Sequence, residues 1–225
     1  MGAEHKINPE GQDLLLFYLV LDESYSMAGE GIDTINRLLP EIHEDLRRSP
    51  AVSDVVRMSI IGFADTPETL LELADLGESE TLPGVSERGG TEYGLAFDHL
   101  RSTIERDVAA LKADGASVRR PVVFFLSDGE PTDDHWRSSL ARLTDKAWPL
   151  QPNIISFGIG DADAQVIAEV ATLQAYMVAD GVSPGQALSQ WSATLLNSIM
   201  ASATAGALMV PEQVEGFTSL AMTRI

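Results

Sequence analysis

Two uninterrupted apolar runs, each followed by an aspartate, constrain the fold of this chain more than any other feature. Leu14–Leu21 contains eight apolar residues and continues directly into Asp22. PVVFFL (Pro121–Leu126) continues into Ser127 and Asp128. A strand that is apolar at every position is buried on both faces, which is typical of a parallel sheet covered by helices. Both runs are therefore predicted to be central strands with polar residues at their carboxyl ends.

The remaining segments alternate between strand-like and helix-like patterns. Further strands are predicted at Val55–Phe63, Thr69–Leu76, Asn153–Ile159 and Ala175–Val178. Apolar residues at helical spacing predict helices within Ile32–Leu46 (which Pro40 could kink or split), Phe97–Leu111, Asp133–Ala147, Ala164–Ala171 and Leu188–Ile199. This alternation predicts an α/β fold: a Rossmann-like, doubly wound, mostly parallel six-stranded sheet with helices on both faces. Thr69–Leu76 is expected to be its one short antiparallel strand.

A single domain is expected to account for most of the 225 residues, a length that allows one sizeable core. It is predicted to span residues 14–204, between an N-terminal extension (1–13) and a C-terminal tail (205–225) without a strong period. The N-terminal residues lack the pattern of a signal peptide, and no apolar run reaches the ~20 residues of a membrane helix. We therefore expect a cytoplasmic location without membrane contact.

The strong acidity and the absence of cysteine narrow the possible partners and chemistry. With a net charge of −19 the chain repels phosphate backbones and anionic membranes, so nucleic-acid binding is not expected. Cations and basic partner surfaces are favoured, although solubility alone would also explain the charge. The lack of cysteine excludes disulfides, thiolate metal ligands and a cysteine nucleophile, and it fits a reducing compartment.

Oxygen-bearing side chains gather at three predicted strand ends and loops. Asp22, Ser24 and Ser26 follow the first apolar run at alternate positions, Thr91 follows two glycines, and Asp128 follows the second apolar run. In doubly wound sheets, ligands bind at the carboxyl ends of the strands, near the point where the strand order reverses. Carboxylates and hydroxyls suit Mg²⁺ or Mn²⁺, whereas the lack of cysteine and of nearby histidine disfavours zinc. Each residue alone could instead be a helix cap or turn former.

These segments resemble the D-x-S-x-S…T…D signature of von Willebrand factor type A domains, which is their metal-ion-dependent adhesion site. The matching residues are DESYS (Asp22–Ser26), GGT (Gly89–Thr91) and SDG (Ser127–Gly129). The resemblance extends from about Leu14 to about Ala203. It implies a doubly wound sheet and a site that binds a divalent cation.

The resemblance also implies a role for each site residue. Ser24 and Ser26 would bind the cation through their hydroxyls, and Thr91 would bind it directly in one conformational state and through water in another. Asp22 and Asp128 would act mainly through water and hydrogen bonds. An open coordination position would accept an acidic group from a protein partner. Mg²⁺ or Mn²⁺ is the implied ion, with Ca²⁺ less expected.

Within that family, three segments are similar to bacterial TerY-type proteins. They are PVVFFLSDGEPTDD (Pro121–Asp134), SERGGTEYG (Ser86–Gly94) and NIISFGIG (Asn153–Gly160). TerY-type proteins are linked to tellurite resistance and metal stress, often beside a protein kinase and a metal-dependent Ser/Thr phosphatase. The resemblance therefore implies a bacterial stress-response assembly in which these two enzymes are candidate partners.

One residue departs from the family pattern, and one segment is unusually acidic. The common pattern is D-x-S-G-S, but this chain has Tyr25 in place of the glycine. Tyr25 requires either a loop with negative φ or an altered site, and its ring could contact a partner. Glu130, Asp133 and Asp134 follow Asp128. They are expected either to offset a helix dipole or to help select a partner.

Other motifs are less informative. GIGDAD (Gly158–Asp163) lacks the third glycine of a dinucleotide fingerprint and is predicted to be a strand-to-helix turn capped by Asp161 or Asp163. His135 is expected to be a surface residue in the first turn of a helix. Together these observations predict a non-enzymatic, metal-dependent protein-binding module. The alternatives are a metal-assisted phosphohydrolase using the same carboxylates, or a scaffold whose metal site is vestigial.

Overall fold

The two apolar runs form the centre of a seven-stranded sheet in residues 13–76 and 81–222, which are the residues that the computed structural model describes. The strands are β1 (Leu15–Asp22), β2 (Val56–Phe63), β3 (Pro67–Ala74), β4 (Val122–Ser127), β5 (Asn153–Gly158), β6 (Gln174–Val178) and β7 (Phe217–Ser219). Their order across the sheet is β3-β2-β1-β4-β5-β6-β7. The predicted α/β class with a mostly parallel sheet is confirmed.

Six helices cover the two faces of this sheet in the described residues. They are α1 (Glu30–Arg47), α2 (Pro50–Val55), α3 (Tyr93–Ala113), α4 (Trp136–Leu143), α5 (Ala164–Val170) and α6 (Pro184–Ala205). Alternate residues of β1 belong to two separate cores, because successive side chains of a strand point to opposite faces. Leu19 packs in the core beneath α1 and α6, and Val20 packs in the core beneath α3 and α4. The continuous apolar run thus reflects burial on both faces.

The strand order reverses between β1 and β4, and this reversal positions the candidate site. The chain passes from β1 outward to β2 and β3, then returns to place β4 on the other side of β1. β1 pairs in parallel with both β2 and β4, and Leu21 is in register with Leu126. The carboxyl ends of β1 and β4, with Asp22 and Asp128, therefore lie side by side at the point where doubly wound sheets bind ligands.

The sheet has seven strands, so the predicted count of six was wrong. The additional strand, β7, comes from the tail and pairs antiparallel with β6. It has only three residues, too few to produce a periodic pattern in the sequence. The ring of Phe217 packs edge-on against Phe157 with centroids 5.5 Å apart, which joins the tail to the core. Both edges of the sheet, β3 and β7, are antiparallel.

The helices differ from expectation in three places. α1 continues through Pro40, whose side chain is exposed. The segment after α1 forms α2 with Pro50 in its first turn, a position that tolerates proline because the missing N–H has no helical partner. α4 begins only at Trp136, since Asp133 lies in the preceding loop and His135 is the N-cap residue. In the part of the chain described, no helix combines the length and apolarity needed to cross a membrane.

Candidate metal site

The carboxylate of Asp22 organises the turn that follows β1. Its side chain is fully buried. Oδ1 accepts a hydrogen bond from the backbone N–H of Ser24 at 2.8 Å, and Oδ2 accepts one from the hydroxyl of Ser127 at the end of β4. The chain then forms one 3₁₀ turn, Tyr25–Met27. Asp22 therefore both shapes the serine-bearing turn and joins it to the neighbouring strand.

The two serine hydroxyls and Asp128 form a hydrogen-bonded row. Ser24 Oγ lies 2.9 Å from Ser26 Oγ, and the Ser26 hydroxyl donates to Asp128 Oδ1 at 2.6 Å. Alternate positions thus converge even though the segment turns instead of remaining extended. The structure brings together four of the five predicted ligand residues through these contacts and those of Asp22.

Thr91 is presented by a glycine loop packed against Asp65. Gly89 has φ +64°, and a Cβ added there would lie 2.2 Å from Asp65 Oδ2, so both the backbone angle and the space require glycine. The Gly90 N–H donates to Asp65 Oδ1 at 2.7 Å. The Thr91 N–H donates to the hydroxyl of Thr132 at 3.2 Å, and the Thr132 N–H donates to the Thr91 carbonyl at 3.0 Å. Thr91 is therefore held between the glycine loop and the loop after β4.

The hydroxyls of Thr91 and Ser26 border the same small space beside Gly129. A Cβ added at Gly129 would lie 3.5 Å from Thr91 Oγ1 and 3.6 Å from Ser26 Oγ. The missing side chain leaves this space next to two hydroxyls from separate loops, and Asp128 is the adjacent residue. Hydroxyl and carboxylate oxygens of this kind fit a hard divalent cation. All three predicted segments therefore meet at one place.

A cation at this place would depend on hydroxyls. Within residues 13–76 and 81–222 there is no group of three or more His, Cys, Asp or Glu side chains that could hold a metal. Only Asp22 and Asp128 supply carboxylates among the five predicted ligand residues. Such a donor set differs from an all-carboxylate cage, and it is consistent with an ion that keeps several waters, as Mg²⁺ does.

Burial disfavours the charged forms of both carboxylates. Desolvation raises the pKa of Asp22 to about 6, against the opposing effect of the hydrogen bonds from Ser127 and Ser24. Desolvation also raises the pKa of Asp128. The hydrogen bond from the Ser26 hydroxyl lowers this pKa, and the nearby charge of Asp161 raises it further. A cation bound between the two loops would stabilise both ionised groups, because it supplies the opposite charge that burial removes from water.

Tyr25 fits its position without backbone strain. Among the residues described, no residue other than glycine has a positive φ, so the turn does not need a glycine at this point. The Tyr25 side chain is 69% exposed. Of the two alternatives raised by the sequence, the structure therefore supports a loop with negative φ and not a distorted one.

The predicted partner-binding residues have different surroundings. Glu130 and Asp134 are exposed, like Tyr25. Asp133 is buried: its Oδ1 accepts a hydrogen bond from the Gly94 N–H at 3.3 Å in the first turn of α3. Its Oδ2 lies 3.1 Å from His135 Nδ1 without hydrogen-bond geometry. Asp133 thus holds the loop against α3 and offers little surface to a partner, whereas the role of the other three residues stays a prediction.

Several residues that shape the site were not recognised in the sequence. Ser127 donates to Asp22, and it could have been found by the same rule that identified its neighbours at the strand ends. Glu23 and Arg88 form a largely buried ion pair beside the site, and Asp65 supports the glycine loop. Because these partners are far apart in the chain, their spacing carries no local signal.

The GIGDAD segment is a strand-to-helix turn, as predicted. Asp163 is the N-cap of α5, and its side chain accepts hydrogen bonds from the backbone N–H groups of Gln165 and Val166. Gly160 has φ +56° and adjoins Asp128. The segment therefore belongs to the edge of the candidate site and not to a dinucleotide-binding loop.

Comparison with known proteins decides the family. Residues 17–188 match the family model of the von Willebrand factor type A domain. This chain belongs to the von Willebrand factor type A family. The domain is a module often used for protein interaction, and its relatives are mostly adhesion or interaction modules. No curated protein sequence matches the chain.

Solved structures share the von Willebrand factor type A fold at low sequence identity. A von Willebrand factor type A protein from Catenulispora acidiphila has a TM-score of 0.56 and 13% identity, covering 84% of this chain and 43% of its own. The pilus adhesin SpaC from Lactobacillus rhamnosus GG, in its open conformation, has a TM-score of 0.64 and 14% identity, and the match covers 84% of this chain and 30% of SpaC. VWA2, an ArnB paralog from Sulfolobus acidocaldarius, has a TM-score of 0.51 and 20% identity, and the match covers 84% of this chain and 46% of VWA2. These identities show the fold alone, and the chain spans less than half of each of these proteins.

Proposed function

We propose that this von Willebrand factor type A domain is a non-enzymatic, metal-dependent protein-binding module. The observation that carries the proposal is the convergence of Ser26 and Thr91 on the space beside Gly129, next to Asp128. Asp22, Ser24, Ser26, Thr91 and Asp128 would hold a divalent cation, Mg²⁺ or Mn²⁺ in preference to Ca²⁺. The cation would supply a positive charge that an acidic group of a partner protein can bind.

The protein's own residues have separable roles in this proposal. The hydroxyls of Ser24, Ser26 and Thr91 would be cation ligands. Asp22 orients the turn of residues 24–27, called the serine turn below, by accepting a hydrogen bond from the Ser24 N–H. Asp128 orients the Ser26 hydroxyl by accepting a hydrogen bond from it. Supporting hydrogen bonds of this kind set the direction of the ligands and add negative charge near the cation.

The charge around the site narrows the chemistry of the partner. Glu130, Asp134 and Asp161 are exposed acidic residues in the loops after β4 and β5, and the whole chain carries a net charge of −19. A partner that offers only acidic residues would be repelled everywhere except at the cation. We therefore infer that the partner's carboxylate is flanked by Lys or Arg side chains, with Tyr25 as an aromatic contact.

The cellular setting is proposed from the sequence resemblance to TerY-type proteins. It would be a bacterial stress-response or tellurite-resistance assembly in the cytoplasm, with a protein kinase and a metal-dependent Ser/Thr phosphatase as candidate partners. The acidic surface supports partners with basic patches and opposes nucleic acids and anionic membranes.

Calorimetric titration with Mn²⁺ and Mg²⁺ tests the metal claim. Wild-type protein should bind one ion, and Asp22→Ala should bind it much more weakly, because the serine turn loses its organising carboxylate. Glu41→Ala is the matched control, since it removes an exposed acidic side chain on α1. Equal binding by wild type and Asp22→Ala, or no binding by either, would contradict the proposal. Mg²⁺-dependent hydrolysis of a phosphomonoester that Asp128→Ala abolishes would favour the phosphohydrolase instead.

A further inference from the structure

We infer that Glu23 and Arg88 are a positioning pair for the candidate metal site. They hold the loop of residues 86–91, called the threonine loop below, in a fixed position relative to the serine turn. Glu23 occupies the first unspecified position of the D-x-S-x-S signature, between Asp22 and Ser24, and it is not one of the predicted ligands. The inference rests on the proposed function, because a positioning role is defined by the ion that Thr91 and the serines would bind.

The Glu23 carboxylate is buried and fully engaged with the threonine loop. Its side chain is 1% exposed, although an exposed position would be the ordinary expectation for glutamate. Oε1 accepts a hydrogen bond from the Ser86 N–H at 2.9 Å. Oε2 accepts two from the Arg88 guanidinium, one from Nε at 3.0 Å and a shorter one from Nη2. The carboxylate therefore binds two residues of the loop at once.

Backbone hydrogen bonds join the same two segments at the ion pair and just beyond it. The Arg88 N–H donates to the Glu23 carbonyl at 2.6 Å, and the Tyr25 N–H donates to the Gly89 carbonyl at 3.1 Å. The serine turn and the start of the threonine loop are thus connected by two backbone hydrogen bonds in addition to the ion pair. Displacing one segment would displace the other.

The sheet leaves a dedicated space for the Glu23 carboxylate. A Cβ added at Gly62 on β2 would lie 2.0 Å from Glu23 Oε2, so any other residue there would exclude the carboxylate. Arg88 also contacts Glu68 on β3, with 3.4 Å between Nη1 and Oε2. A buried ion pair is weak evidence for stability, because apolar residues of similar size often serve as well. Its placement between the two ligand loops favours a role in geometry.

Only two glycines separate Arg88 from Thr91, and this explains why the anchor matters. Glycine has the greatest backbone freedom of all residues. Gly89 and Gly90 therefore keep Thr91 at a fixed position only if the residues on both sides of them are held. On the far side Thr91 is held by Thr132, and Gly90 is held by Asp65. The Glu23–Arg88 pair is the anchor on the near side. Loosening it should spread the positions of the Thr91 hydroxyl and weaken binding of the ion.

Mn²⁺ affinity, measured by calorimetry on the full chain, tests this inference. Glu23→Gln and Arg88→Met should each weaken binding about 10- to 100-fold, the usual effect of losing a residue that orients metal ligands. Arg88→Lys keeps the charge without the two-pronged contact, so its affinity should lie between those of wild type and Arg88→Met. Asp107→Asn is the matched control. Asp107 is another buried carboxylate, bound by the Tyr18 hydroxyl at 3.1 Å, and its replacement should leave Mn²⁺ affinity unchanged.

A double-mutant comparison separates positioning from general destabilisation. If Glu23 acts through Thr91, adding Glu23→Gln to Thr91→Ala should cost little further affinity, since residues that act as one unit are not additive. In metal-free protein, the amide resonances of Gly90 and Thr91 should shift in Arg88→Met and stay in place in Asp107→Asn. Arg88 is 30% exposed, so its variants carry the test even if Glu23→Gln fails to fold.

The outcomes distinguish this inference from the proposed function. If wild type binds no Mn²⁺, the proposed function fails and this inference fails with it. If wild type binds but folded Arg88→Met binds equally well, only the positioning role is overturned. Full additivity of Glu23→Gln and Thr91→Ala would also overturn it.

Discussion

The hydroxyl of Ser127 donates a hydrogen bond to Asp22 Oδ2 across two neighbouring parallel strands, where both side chains are fully buried. This contact ties the end of β1 to the end of β4 at the reversal of strand order. The other oxygen of Asp22 shapes the serine turn. One buried carboxylate therefore connects the topology of the sheet to the arrangement of the candidate ligands.

Ser127→Ala should destabilise the protein and weaken Mn²⁺ binding together. The substitution leaves a buried carboxylate oxygen without its donor, which costs about 1–3 kcal/mol. Urea unfolding in EDTA measures the free energy of unfolding, and calorimetry measures the Mn²⁺ affinity. Ser138→Ala is the control, because that hydroxyl is exposed on α4. A Ser127→Ala protein as stable as wild type would contradict the importance of this contact.

Asp22→Asn should abolish tight metal binding yet stabilise the metal-free protein at neutral pH. Burial raises the pKa of Asp22 to about 6 from an ordinary 3.8, so the ionised form opposes folding above pH 6. The wild type regains that stability as the pH falls through 6 and has it in full below 3.8. The advantage of Asp22→Asn in EDTA should therefore be largest above pH 6 and vanish in acid.

Thermal unfolding in EDTA across this pH range checks the prediction. Asp163→Asn provides the contrast, since Asp163 accepts two hydrogen bonds as the cap of α5 and is half-exposed. It should give no such gain at neutral pH. An Asp22→Asn protein that is less stable than wild type at every pH would show that the hydrogen bonds of Asp22 outweigh the cost of burying its charge.

Tyr25→Gly should change Mn²⁺ affinity only slightly. The turn already has negative φ at this position, so glycine relieves no strain and adds only flexibility, worth a factor of about two to five in affinity. Calorimetry on both proteins gives the comparison. A gain of two orders of magnitude would show that the tyrosine distorts the site after all.

His99 should make stability depend on pH away from the metal site. Its Nε2 lies 2.8 Å from the Thr69 hydroxyl, and burial lowers its pKa below the ordinary 6.5. The folded state thus favours neutral His99, so stability is complete above pH 6.5 and falls as the pH drops through and below that value. His99→Gln should flatten this part of a plot of melting temperature against pH. An unchanged slope would assign the effect to other groups.

The central strands could be predicted because their signal is local. An apolar residue at every position of β1 and β4 has few explanations other than burial on both faces. Asp22 and Asp128 followed from the same strands, since the carboxyl ends of parallel strands share one edge of the sheet. Thr91 was recognisable from its two preceding glycines, of which Gly89 has a positive φ and packs against Asp65.

The features that escaped prediction depend on partners distant in sequence. The burial of Glu23 has no signal in the sequence, because its partner Arg88 lies 65 residues further along the chain. β7 forms because the edge of β6 supplies hydrogen-bond partners. Its three residues are too few for a sequence pattern that predicts a strand. Asp133 was expected either to offset a helix dipole or to help select a partner, but its side chain is buried and accepts a hydrogen bond from the Gly94 N–H in the first turn of α3. Such contacts are decided by tertiary packing and not by periodicity.

Anomalous diffraction from a crystal grown or soaked in Mn²⁺ shows directly whether these residues bind a cation. We expect one strong peak beside Gly129, coordinated by the hydroxyls of Ser24, Ser26 and Thr91, and its disappearance in Asp22→Ala crystals. A carboxylate from a neighbouring molecule could complete the coordination. A peak located elsewhere, or no peak at millimolar Mn²⁺, would contradict the proposal that these residues form a metal site.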